Sequence, residues 1–183
     1  MVEFATKRQL RKPSFRLLRE QRTLLKERAK QEIIADATFL SHSSKDEELL
    51  VGAITLLKNH GGNVYIDEAD PEMPTHTSEE TANTLKNRIQ QAKKFVLLAT
   101  ENSKNSNWVP WELGFADGAK GIEKIALFPA VENQRRTLWT SSEYMGLYNK
   151  IVFGSLRGHD EPLWLVWDEA TDTAYTLEYW LKN

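Results

Sequence analysis

The chain has 183 residues, enough for one ordinary domain with a little left over. Apolar residues make up 40% and charged residues 27%, so a buried core under a solvated surface is expected and a disordered chain is excluded. There is no cysteine, which excludes a disulfide framework, a thiolate zinc site and a cysteine nucleophile.

No apolar run approaches the roughly 20 residues of a bilayer span, and the first residues carry no apolar signal core. A cytoplasmic chain without a membrane partner is therefore expected. The net charge of −2 hides an asymmetry. Residues 1–30 hold ten Lys/Arg and three Asp/Glu, a balance of +7, while the remainder balances to −9. Residues 1–35 are accordingly read as a basic helical extension, and 36–183 as the domain proper with a C-terminal extension from about 154. A basic arm can contact nucleic acid or anionic lipid. The favoured reading is a helix that packs on its own acidic domain or on a partner subunit. Its cations are spread around the helix, and no aromatic residues interleave them to stack on bases.

In chain order, Leu17, Leu18, Leu24, Leu25 and Ala29 recur near helical period and predict a helix over 14–31, with Ser14 as its cap after Pro13. Residues 37–42 predict a first strand. Ser44 and Glu47 have capping-box spacing and should open a helix, with Leu49, Leu50, Ala53, Ile54 and Leu57 as its buried face and Gly61-Gly62 as its stop. Residues 63–67 read as a second strand, followed by a loop with Pro71 and Pro74. A helix is expected over 78–93, capped by Ser78. The run 95–100 is apolar at nearly every position, as in a strand buried on both faces. A polar loop should cover 101–107 and a helix 108–119, with Pro110 in its first turn. Further strands are expected over 125–129 and 150–153, an extra one over 163–167, and a closing helix over 177–181. The segment 130–148 reads as irregular. Strands alternating with helices predict an α/β fold, a parallel sheet of five strands with helices on both faces. Ligands in such sheets bind beyond the carboxyl ends of the strands, where the strand order reverses.

Three stretches carry a resemblance. Phe39-Leu40-Ser41-His42-Ser43-Ser44-Lys45-Asp46 resembles the first signature box of Toll/interleukin-1 receptor (TIR) domains. Val64-Tyr65-Ile66-Asp67 resembles the family's second strand and the start of its mobile loop. Ser106-Asn107-Trp108-Val109-Pro110-Trp111-Glu112-Leu113 resembles the stretch that carries the catalytic glutamate of NAD-cleaving members. The three boxes stand in the family's order and cover about residues 36–153. Within the family the chain is most similar to stand-alone prokaryotic TIR proteins, including those of antiphage defence systems such as Thoeris. The resemblance implies a flavodoxin-like TIR fold and cleavage of NAD, a substrate here, with no prosthetic group.

Breaking the nicotinamide–ribose bond builds positive charge on the ribose, so the reaction needs a carboxylate near it. Glu112 lies one helical turn after Trp108, on the same helix face, and near a helix N-terminus that favours its ionised form. Spacing alone favours a surface glutamate that caps its helix. Its place in the motif is what implies the catalytic role. Trp108 can wall the pocket or stack on a flat ring. The resemblance brings Ser41, His42 and Ser43 to the substrate, with Ser43 standing where NAD-cleaving members often carry a basic residue. Asp67 is either a loop cap or part of the cleft, and Glu72 either a solvated loop acid or a group closing over the ligand. No metal is expected, since the acids at 67, 68 and 70 lack calcium-loop spacing. Trp111 and Phe115 read as core, and the tryptophans at 164, 167 and 180 as core or interface.

Two other functions stand beside NAD cleavage: a non-catalytic TIR assembly module, and a nucleoside deoxyribosyltransferase-like enzyme that uses a glutamate on a ribose. The partners implied by the resemblance are NAD, other TIR subunits in an activated homo-oligomer, and a downstream effector that senses the product.

Overall fold

The computed structural model describes residues 2–67, 79–133 and 145–183. Two short strands, β1 (Val2–Glu3) and β2 (Ala5–Thr6), lead into α1 (Lys7–Arg16) and α2 (Arg19–Lys30). The single helix expected over 14–31 is thus two. Thr6 caps the first: its Oγ1 accepts from the Gln9 N–H at 3.1 Å, and Gln9 Oε1 accepts from the Thr6 N–H at 2.7 Å. Pro13 lies inside α1, and Leu17 and Leu18 both take extended backbone, which divides the helices. The division lets each helix follow its own support. α1 crosses the helix that follows the first core strand, and α2 flanks the sheet edge.

The rest of the chain alternates largely as expected. β3 (Ala37–Ser41), α3 (Glu47–Asn59), β4 (Asn63–Tyr65), α4 (Glu79–Gln91) and β5 (Lys94–Ala99) form the first half. A one-turn helix α5 (Glu101–Lys104), then α6 (Trp108–Lys120), β6 (Ile125–Val131), β7 (Asn149–Gly154), β8 (Leu163–Asp168), β9 (Thr173–Thr176) and α7 (Leu177–Lys182) complete it. The Ser44/Glu47 capping box does not form. Instead Ser43 Oγ accepts from the Lys45 N–H at 3.3 Å, a single 3-10 turn spans Ser44–Asp46, and α3 begins after it. The cap expected from Ser78 lies outside the described residues. β1, β2 and β9 escaped sequence reading because two-residue strands have no period to detect and β9 is polar and half exposed.

The sheet order is β4-β3-β5-β6-β7-β8-β9, with β1 paired to β7 and β2 to β6. From β4 through β7 every pairing is parallel, which is the expected five-stranded flavodoxin-like arrangement. β8 and β9 extend it antiparallel.

Alternation along the strands feeds two cores. Leu40, Val96, Leu98 and Phe128 face the side covered by α1, α3 and α7, against Leu10, Ile54, Leu57 and Trp180. Phe39, Phe95, Leu97 and Leu127 face α4 and α6, against Leu85, Ile89, Val109 and Leu113. α3 ends at Gly61, whose φ of +79° suits a residue without a side chain.

α7 closes the floor beneath the amino ends of the strands. Leu177, Trp180 and Leu181 are buried, and Trp180 Nε1 donates to the Glu123 carbonyl at 2.9 Å. The opposite end, where β3 and β5 finish and the strand order reverses, is left for function. Among the described residues no helix is long and apolar enough to cross a membrane.

Candidate active site

The switch point lies between β3 and β5, because the chain leaves β3 for β4 on one side and then returns to β5 on the other. Ser41 ends β3 and is buried. Glu112 sits on the second turn of α6 and is only 5% exposed. Ser41 Oγ donates to Glu112 Oε2 at 2.5 Å across 71 positions of sequence. Burial sets the state of this carboxyl. Desolvation pushes its pKa up to about 8, the Ser41 hydrogen bond pulls it down, and the negative charge of Asp67 raises it again. At neutral pH Glu112 is therefore largely a neutral acid. The reading of Glu112 as a surface cap is overturned by its burial.

His42 follows Ser41 and is half-buried, with Nδ1 3.3 Å from the Leu40 carbonyl. Burial pushes its pKa below the ordinary value, so it is neutral at pH 7, an uncharged donor or acceptor. Ser43 is buried and engaged in its own turn, so its hydroxyl serves the loop after β3. Asp67, just past β4, pairs with Arg88 of α4 at 2.8 Å, and the Arg88 guanidinium lies 5.6 Å from the Tyr65 ring centroid. Its charge reaches both Glu112 and His42. Trp108 opens α6, half-buried, with its ring edge-on to Trp111 at 5.3 Å. Trp111 stacks with Phe115 at 6.0 Å, and both pack against the α4–α6 core. Glu72 lies outside the described residues.

A second buried cluster had only a weak sequence signal. Asp46, 3% exposed, accepts from Thr100 Oγ1 at 2.5 Å and from Asn102 Nδ2 at 2.7 Å. Thr100 also caps α5, exchanging hydrogen bonds with Ser103 at 3.1 and 2.8 Å. The polar loop expected over 101–107 thus opens with a one-turn helix, whose T-x-x-S cap lacks the Glu or Gln of a usual capping box. The network ties the loop after β3 to the loop after β5.

A parallel sheet in this order, with a buried carboxyl at its switch point, defines a class of α/β site proteins, and the sequence relationships define which. A sequence model described as TIR domain matches residues 38–161, more than half of the chain, so the chain belongs to the TIR domain family. Among its relatives, the chain is 33% identical over 130 residues to the probable 3′ cyclic ADP-D-ribose synthase ThsB′ of Bacillus cereus (strain MSX-D12). That match covers 69% of this chain and 66% of that protein. It is 35% identical over 81 residues to the putative cyclic ADP-D-ribose synthase TIR2 of Cytobacillus dafuensis, covering 43% of this chain and 21% of that protein. The chain thus spans a little under two thirds of the first relative and about a fifth of the second.

Proposed function

We propose that this chain cleaves the nicotinamide–ribose bond of NAD, with Glu112 as the catalytic carboxylate, and that its product serves prokaryotic antiviral signalling. The observation that carries the reading is the buried Ser41–Glu112 pair at the sheet's switch point. The nicotinamide ring of NAD carries a positive charge. Bringing it beside a buried neutral carboxyl favours loss of that carboxyl's proton to solvent water, so substrate binding itself ionises Glu112. The bond from the ring nitrogen to the ribose carbon then breaks, and its electron pair leaves with neutral nicotinamide. The cationic ribose that remains is stabilised by the Glu112 carboxylate in a site of low polarity. On this reading Ser41 holds the carboxylate in place, and Trp108 and His42 hold the flat rings and the ribose.

The cation is captured by a nucleophile that gives up a proton as it bonds. Water gives ADP-ribose; a group of the same ADP-ribose gives a cyclic product. The names of the two relatives, both cyclic ADP-D-ribose synthases, support the cyclic outcome. A downstream effector that reads the cyclic product, and other TIR subunits, are the partners this reading calls for.

The test is nicotinamide release from NAD at high protein concentration, with Glu112→Gln in parallel. Release that disappears in the variant supports the reading, and the second product names the reaction. Release that persists unchanged in the variant would show that Glu112 is not the catalytic carboxylate.

A further inference from the structure

A cleft of about 350 Å³ opens between α2 and α3, with Arg19, Arg22 and Lys26 on one wall and Glu47 and Glu48 on the other. The two acids already have cations of their own. Lys26 pairs with Glu47, and Arg11 of α1 pairs with Glu48 at 3.2 Å. Arg19 and Arg22 are left over, since among the described residues neither forms an ion pair. The Nε of Arg22 is buried and has no hydrogen-bond partner among the described residues. A buried guanidinium N–H is costly to leave unmatched, so it marks a place where an acceptor is missing.

An acceptor that suits this place is an anion with several oxygens. With Arg11 included, four cations stand here against two acids. Arg19 and Arg22 lie one turn apart on α2, and each guanidinium presents two parallel N–H groups that match phosphate oxygens. Arg19 is also the first residue of α2, whose N-terminus has no side-chain cap, so the helix end adds positive charge there. The volume suits a small molecule rather than a single ion. The cleft also adjoins the Ser41–Glu112 site. Ser41 turns toward Glu112 on α6, while the next residue, His42, lies within reach of the charges of Lys26 and Glu47. Ser43, where NAD-cleaving members often carry a basic residue, has its hydroxyl engaged in its own turn. The cations beside that loop come instead from α2, which lies outside residues 38–161, the span of the TIR match.

We propose that the cleft between α2 and α3 is a phosphate-binding site, in which Arg19 and Arg22 hold the diphosphate of a nucleotide. Two sources share that chemistry. One is NAD itself, its phosphates lying across the end of β3 from Glu112; the other is a second nucleotide bound beside the substrate. Only the first source rests on the NAD reading, and the site itself does not.

The test is calorimetric titration of the full chain with ADP. The wild type is compared with Arg19→Gln plus Arg22→Gln, and with Arg8→Gln plus Arg28→Gln, which removes the same charge outside the cleft. The wild type is expected to bind ADP, and more weakly as salt rises. The cleft pair should lose at least about tenfold in affinity, while the control pair binds nearly as the wild type does. Arg19→Gln alone, at an exposed position, should also weaken binding and keeps the test open if the pair does not fold. ADP has no nicotinamide ribose to place at Glu112, so its binding is read whether or not the NAD reading holds. Kinetics of nicotinamide release then separate the sources. If the phosphates are those of NAD, the cleft pair raises KM, leaves kcat in place, and ADP competes with NAD. If they belong to a second nucleotide, KM stands and ADP does not compete. A wild type that does not bind ADP would overturn the site, and so would equal binding by the cleft pair and the control pair.

Discussion

A carboxyl buried beside a single hydroxyl donor holds its proton until a positive charge arrives, and Glu112 is such a group. Its pKa of about 8 makes its carboxylate, the form the proposed reaction needs, the minority at neutral pH. The dependence of kcat/KM on pH reports the free protein, so it should rise with pH and level off above about 8. Ser41 lowers this pKa, so its removal raises it. Ser41→Ala is expected to move the inflection of kcat/KM upward by about one pH unit, the worth of a hydrogen bond to a charged group at roughly 1.5 kcal/mol. A pH profile of nicotinamide release for wild type and variant checks this; an inflection left in place would mean that the hydroxyl does not govern the carboxyl. Ser41 and Glu112 were each legible as motif positions. Their contact was not, since no local pattern reports that two residues 71 apart meet.

Elements meet at the top of the sheet through one buried acid. Asp46 joins the turn before α3 to Thr100 at the end of β5 and to Asn102 in α5. Removing its carboxylate strands the buried Thr100 hydroxyl and takes away one acceptor of the half-buried Asn102 amide. Asp46→Ala is therefore expected to cost about 2–4 kcal/mol of stability in denaturant titration and to slow nicotinamide release, because α6 and Glu112 follow from that loop. Asp46→Asn keeps an acceptor for Thr100 and should lose markedly less on both counts. Equal losses in the two variants would show that the hydrogen bonds are not what hold the loops. Of this lock, Asp46 was visible only as one letter of a motif, and α5 was read as a loop. A one-turn helix has too few residues to display a period, so its cap is the only signal.

At the scale of the whole molecule, the basic extension is part of the folded body. Lys7 pairs with Glu132 at 3.1 Å, Arg11 with Glu48 at 3.2 Å, and Lys26 with Glu47. Exposed pairs of this kind contribute up to about 1 kcal/mol each, so they orient α1 and α2 more than they anchor them. The anchor is steric fit. A Cβ at Gly52 of α3 would lie 2.0 Å from the Leu10 carbonyl oxygen of α1, a backbone atom with no room to yield. Gly52→Ala should lift α1, cost about 2 kcal/mol and lower Tm by about 4–8 °C. Gly114→Ala, with nothing within 4 Å, should leave Tm unchanged or raise it. Thermal melts of the two variants check the contrast, and equal melting points would show that α1 does not pack through Gly52. The sequence reading favoured a basic helix on its own acidic domain or on a partner, and the ion pairs place it on its own domain. Packing on α3 and on the β4 edge also explains why one apolar stripe became two helices.

From the sequence by itself came the α/β class, the strands from 37 to 154 and the residues of the three boxes. Continuous apolar runs such as 94–99 and helical stripes such as 47–59 are local, and local burial demands write them directly into the chain. Only the tertiary structure decided which residues meet. It joined Ser41 to Glu112, locked Asp46 to Thr100, broke the N-terminal helix at Leu17 and Leu18, and folded α7 under the sheet. Each of these depends on contacts between segments distant in sequence. Periodicity records which face of an element is buried, and it carries no information about what that face will touch.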